Sequence, residues 1–174
     1  MSAHVMRILG LDPGLQATGW GLIESVGTEL RYLGSGTLRP PPALGAAHRL
    51  MHLHEGLCAL LKNWQPHGAG VEESFVGRHA HAALKLGQAR AMCLLALAQG
   101  GLEIGEYAPT RIKQALCGYG RADKKQIRGM LAWLLPKAAP ASEHAADALA
   151  VAICHAHHRT SLLGAKSARM RRSA

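Results

Sequence analysis

No apolar run in this chain of 174 residues reaches the ~18 residues needed to cross a bilayer, although 48% of its residues are hydrophobic. The amino terminus also lacks the basic region and long apolar core of a secretory leader. These absences predict a soluble, cytoplasmic protein with no membrane partner. The four cysteines, Cys58, Cys93, Cys117 and Cys154, lie far apart in apolar stretches and form no Cys-x-x-Cys pair. That spacing argues against a disulfide framework or a zinc site and for small buried thiols. There is no internal repeat and no heptad seam. Acids are scarce, 11 against 20 Lys and Arg, which leaves a net charge of +9. The basic excess gathers in residues 121–128 and 159–172, so a polyanion is the expected partner, although basic residues also serve solubility.

The length suits one domain with a sizeable core. We place it at residues 1–158, followed by a basic, flexible tail over 159–174. Strands are expected at 6–12, 19–25 and 29–38 as an antiparallel meander, with Val26-Gly27-Thr28 as a hairpin turn. Pro40-Pro41-Pro42 ends the meander. Leu50, Leu53, Leu57 and Leu60 at helical spacing mark a helix over 46–64, and a short strand follows at 69–72. A helix over 80–99, a strand over 102–107 and helices over 109–117, 123–135 and 142–157 complete the pattern. This order predicts an α/β fold: a mixed five-stranded sheet, its first three strands antiparallel, covered by helices on both faces. Right-handed crossovers then set strand 4 beside strand 1.

The few acids fall at revealing places. Ile8-Leu9-Gly10-Leu11-Asp12-Pro13-Gly14 is a short apolar run ended by one carboxylate and broken by Pro-Gly, which puts Asp12 at the mouth of a buried strand. A charge there is costly unless something pairs with it. Glu72 ends the fourth strand, with Glu73 as its rival, and strand alternation lets only one of the two reach the site. His144 and Asp147 stand at i and i+3, on one face of the first turn of the last helix. Asp12 could also be a turn cap and Asp147 an acid satisfied by the helix dipole. Carboxylates clustered inside a basic protein repel nucleic acid unless bound cations reverse the local sign. Metal-assisted chemistry on a phosphate backbone is therefore expected.

Together with Ala83-Leu84-Lys85-Leu86-Gly87-Gln88-Ala89-Arg90 and Ala145-Ala146-Asp147-Ala148-Leu149-Ala150, the first motif resembles the RuvC family of bacterial Holliday junction resolvases, over residues 6–157. The resemblance implies a ribonuclease H-like three-layer fold and a homodimer. It implies an endonuclease of recombination and repair that nicks two strands of a four-way DNA junction symmetrically, leaving 5′-phosphate and 3′-hydroxyl ends. It also implies Mg²⁺ or Mn²⁺ as cofactor, two ions per site about 3.5–4 Å apart, and the branch-migration proteins RuvA and RuvB as partners. Asp12 matches the family's first acid, Glu72 its second and Asp147 its last. His144 stands where many members have an acid, with Glu143 beside it as a stand-in. Neutral imidazole can ligate a metal or position a water, but brings no negative charge.

Lys113 and Lys124 match basic positions near the family's cleavage site, and Arg121 and Lys125 extend that patch. Gly118-Tyr119-Gly120-Arg121 leads into a helix whose N-terminus favours anions. Phe75, the only Phe of the chain, follows Glu72 in a loop with Arg78. The resemblance makes both DNA contacts, Phe75 stacking on an unpaired base; otherwise Phe75 is a core plug. His48 and His52 are four apart, but the Glu of a His-Glu-x-x-His site is missing, so they read as helix polar groups. Leu84, Leu86, Leu94, Leu95 and Leu97 give the helix over 80–99 more apolar surface than one core contact uses, as a dimer seam would. Two other classes compete. A sugar-kinase or actin-like ATPase also begins with a strand and an Asp-x-Gly turn, but needs a second Gly-rich phosphate loop and a longer chain. A non-catalytic junction-binding protein would keep only the basic face.

Overall fold

The computed structural model describes residues 5–73 and 80–172, with 161–172 as backbone alone. The meander forms as β1 (Val5–Asp12), β2 (Thr18–Val26) and β3 (Glu29–Leu38). Its hairpin turns at Gly27, whose φ of 62° suits a residue without a Cβ. Then come α1 (Ala46–Trp64), β4 (Gly68–Glu72), α2 (Ala80–Gln99), β5 (Glu103–Tyr107), α3 (Pro109–Cys117), α4 (Lys124–Leu134) and α5 (Glu143–Arg172). The sheet order is β3-β2-β1-β4-β5. β1 pairs antiparallel with β2 and parallel with β4, as expected from the crossover rule.

Alternation along the strands divides the core in two. Leu9, Leu11, Leu22, Ala69 and Val71 pack with Leu53 and Leu57 of α1 and with α2. Ile8 and Ile23 pack on the other face with α3, α4 and α5. Leu53 and Leu57 are fully buried, and each such side chain contributes about 1.5–3 kcal/mol relative to exposure.

The position of α5 depends on the smallest side chains. It carries Ala145, Ala146, Ala148, Ala150, Ala152 and Ala156, all buried, and lies on a glycine floor in the sheet. A Cβ at Gly10 would collide with the Ala148 carbonyl oxygen, and one at Gly19 with the His144 carbonyl oxygen. Side chains there would lift the helix away from β1 and β2. At its start, Ser142 Oγ accepts a hydrogen bond from Ala145 N at 3.1 Å and lies 2.7 Å from Thr37 Oγ1 of β3. The cap thus anchors the helix to the sheet. Further along, the Tyr107 hydroxyl and His155 Nδ1 share a hydrogen bond at 2.9 Å; burial pushes the His155 pKa down to about 4, which keeps the ring neutral.

Sequence pattern ended the last helix at residue 157, where the apolar periodicity stops. The backbone continues helical to Arg172, because the following residues contain no proline and are rich in Ala, Lys and Arg, which favour helix without a packed face.

Candidate active site

β1 and β4 run parallel with Leu11 opposite Val71, so the next residues, Asp12 and Glu72, end adjacent strands side by side. The glycine-lined face decides which glutamate enters. Gly68 and Gly70 face Val151 and His155 of α5, and alternation sends Glu72 to that same side. Glu73 lies on the other; its backbone N–H bonds Tyr107 O at 2.8 Å and continues the ladder. Asp12 shares the α5 face with Ile8 and Gly10 by the same alternation. Beyond it the chain closes a tight loop, with Thr18 Oγ1 donating to Gly14 O at 2.9 Å.

The first turn of α5 delivers the remaining groups. His144 Nδ1 lies 2.7 Å from Asp12 Oδ2, where an Nδ1–H donates to the carboxylate and leaves Nε2 as the lone-pair nitrogen. Asp12 is 18% exposed and His144 45%. Burial raises the Asp12 pKa although His144 and Lys124 oppose it. Glu72 is pushed up from 4.5 to about 7, first by burial and then by the charges of Asp12 and Asp147, with Lys113 opposing. Asp147 is raised by burial and by Asp12, against Lys124. Glu72 and Asp147 thus both sense the charge of Asp12, and Glu72 senses that of Asp147 as well.

Glu72 and Asp147 open into a cleft of about 190 Å³ whose walls include Lys113 of α3, Lys124 and Arg128 of α4, and Glu143. Glu143, the neighbour of His144, is engaged by two of these cations. It accepts from Lys124 Nζ at 3.1 Å and from Arg128 at 2.7 Å, and these cations hold its pKa below the usual carboxylate range. Asp123 starts α4 with a reciprocal capping box to Gln126, which fixes Lys124 at the first turn, beside the acids. Arg121 and Lys125 are exposed nearby in sequence but do not line the cleft. Phe75 and Arg78 lie outside the described residues. Sequence reading named Arg128 only as the end of the basic run 121–128; its i+4 spacing from Lys124 on α4 was the clue that both reach one cleft.

Among the described residues, no three His, Cys, Asp or Glu side chains are gathered closely enough to hold one metal ion. The donor chemistry nonetheless fits a hard divalent cation. Asp12 raises the proton affinity of the half-buried Glu72 and Asp147, and oxygen ligands of this kind suit Mg²⁺ or Mn²⁺. The exposed His48 and His52 on α1 contribute nothing here, and His54 bonds Gln99 at 2.9 Å.

A mixed sheet with acids at the ends of β1 and β4, completed by an acid from a covering helix, defines a ribonuclease H-like protein of the nuclease class. A model of the family described as crossover junction endodeoxyribonuclease RuvC matches residues 8–155, and the chain belongs to the RuvC family. It is 54% identical over 156 residues to the crossover junction endodeoxyribonuclease RuvC of Mesorhizobium japonicum, covering 90% of this chain and 92% of the relative. With the protein of the same name from Brucella ovis it shares 51% over 163 residues, 94% of each chain. Among solved structures, T. thermophilus RuvC in complex with Holliday junction substrate superposes with a TM-score of 0.84 at 33% identity, covering 90% of this chain and 96% of that one.

Proposed function

We propose that this protein resolves four-way DNA junctions by nicking two strands symmetrically, with Asp12, Glu72 and Asp147 holding Mg²⁺ or Mn²⁺ and leaving 5′-phosphate and 3′-hydroxyl ends. What supports this reading is that Asp12 and Glu72 end adjacent strands, that Asp12 raises the pKa of both Glu72 and Asp147, and that Glu72 and Asp147 line a cleft with Lys113, Lys124 and Arg128. Bound at these carboxylates, a pair of divalent ions supplies neutralisation of the charge that builds on the scissile phosphate.

The remaining work falls to the side chains. Asp12, through its bond to His144 Nδ1, orients the ring so that Nε2 can accept a proton from the attacking water. Lys113 and Lys124 attract the non-bridging phosphate oxygens. Lys124 is paired with Glu143 before DNA arrives, but the pair is 74% and 58% exposed. Such an exposed, solvent-screened bridge contributes little, so a phosphate displaces Glu143 at little cost. Arg121, Lys125, Arg78 and Phe75 extend the DNA surface in this proposal.

The two-strand reaction requires two sites, and a two-fold dimer provides them. On α2, Leu84 and Leu95 are 64% and 55% exposed. With Gln88 and Ala91, also exposed, they form a stripe at helical spacing, which we assign to the dimer contact. The test is incubation with a synthetic four-way junction and a linear duplex, with and without Mg²⁺. Paired nicks in the junction alone, lost in Asp12→Asn while binding persists, are expected; cutting by Asp12→Asn would refute the site.

A further inference from the structure

The first turn of α5 separates two hollows. Glu143 and Asp147 face the cleft already described, and His144 lines the second, a broader groove of about 670 Å³. Its floor is the loop that follows Asp12, including Gly14 and Gln16, and its walls carry Arg39 at the end of β3, Arg49 of α1 and Lys85 of α2. Not one Asp or Glu is among the described residues lining it. The two hollows thus differ in electrostatic character. In the first, Lys124 and Arg128 are committed to Glu143. In the second, Arg39 and Lys85 are exposed and have no ion pair or hydrogen bond among the described residues. Arg49 is used differently, donating to Leu44 O at 2.8 Å and Pro42 O at 2.6 Å, so it braces the rim.

Two unpaired cations brought from distant segments, β3 and α2, onto one acid-free groove beside Asp12 carry a specific consequence. A DNA backbone crossing an acidic site is repelled at the carboxylates and must be held by cations on each side of them. We propose that this groove is a second backbone track, in which Arg39 and Lys85 bind phosphates of the DNA strand as it passes His144 away from the Lys113 and Lys124 cleft. The proposal rests on the DNA-cleaving function inferred above and assigns a binding role to residues outside the acidic cleft. Gln16, exposed at the floor, is placed to donate from its amide to the same strand.

The experiment measures binding of a fluorescent four-way junction in EDTA, so that no cutting occurs, across roughly 50–200 mM salt. Each neutralised phosphate contributes about 0.9 to the slope of log affinity against log salt. Arg39→Ala/Lys85→Ala should lower that slope by about 2 and weaken binding roughly tenfold or more at the middle of the range. Arg31→Ala/Lys62→Ala removes equal charge at sites outside both hollows and should leave the slope as in wild type. Arg39→Lys/Lys85→Arg retains the charges and should keep the wild-type slope; failure to do so would assign the loss to structure and overturn the proposal. A wild-type slope and affinity in the double alanine variant would overturn it directly. Nicking by the wild-type protein in Mg²⁺, scored separately, tests the function itself, so failure of one inference is distinguishable from failure of the other.

Discussion

Replacing Glu72 with Gln should stabilise the metal-free protein while abolishing nicking. In the folded chain Glu72 has its pKa raised from 4.5 to about 7, chiefly by burial and then by Asp12 and Asp147. The folded form therefore holds a proton between these values where the unfolded chain has released it. Stability falls as pH rises through this window and is lowest above about 7. The shift corresponds to at most about 3 kcal/mol, and solvent contact at the cleft mouth reduces this to about 1–2 kcal/mol. For a domain of this size that is roughly 3–6 °C in Tm. Thermal unfolding in EDTA should thus find Glu72→Gln more stable than wild type at pH 8, with the difference vanishing near pH 4.5. Adding Mg²⁺ should raise the wild-type Tm at pH 8 and close the gap, because a bound cation relieves the same repulsion. A Tm difference of equal size at pH 4.5 and pH 8 would refute the electrostatic account, and retained nicking would refute the role of Glu72.

Gly19→Ala forces a Cβ against the His144 carbonyl oxygen, so it should cost about 1–3 kcal/mol and suppress nicking while junction binding survives; unchanged Tm and activity would disprove the close-approach argument. Ser142→Ala removes the oxygen that accepts from Ala145 N and contacts Thr37, and should lower stability by about 1 kcal/mol, read by urea unfolding. Leu84→Asp with Leu95→Asp should convert a dimer to monomers in sedimentation analysis and leave single nicks in place of paired ones. A dimer that persists in this variant would remove α2 from the interface.

Much of the architecture was legible because it is local. The apolar spacing of Leu50, Leu53 and Leu57 marked α1, whose bounds Ala46–Trp64 agree with the pattern, and the Pro13-Gly14 break placed Asp12 at a strand end. Parallel pairing of the first and fourth strands followed from the need for a crossover. The last helix was read short, since its continuation past residue 157 depends on backbone propensity where periodicity is silent.

The sequence by itself determined the elements, the basic balance and the segments from which the acids come, because propensity, periodicity and charge are properties of neighbouring residues. Strand pattern alone left Glu72 and Glu73 nearly tied and the family resemblance favoured Glu72; the tertiary structure puts Glu72 on the face of β4 that its glycines open to α5. It also joined His144 to Asp12 across 132 positions of chain, and it paired Glu143 with Lys124 and Arg128 inside the cleft. Those outcomes depend on distances between segments far apart in the chain, which packing sets and local sequence does not encode.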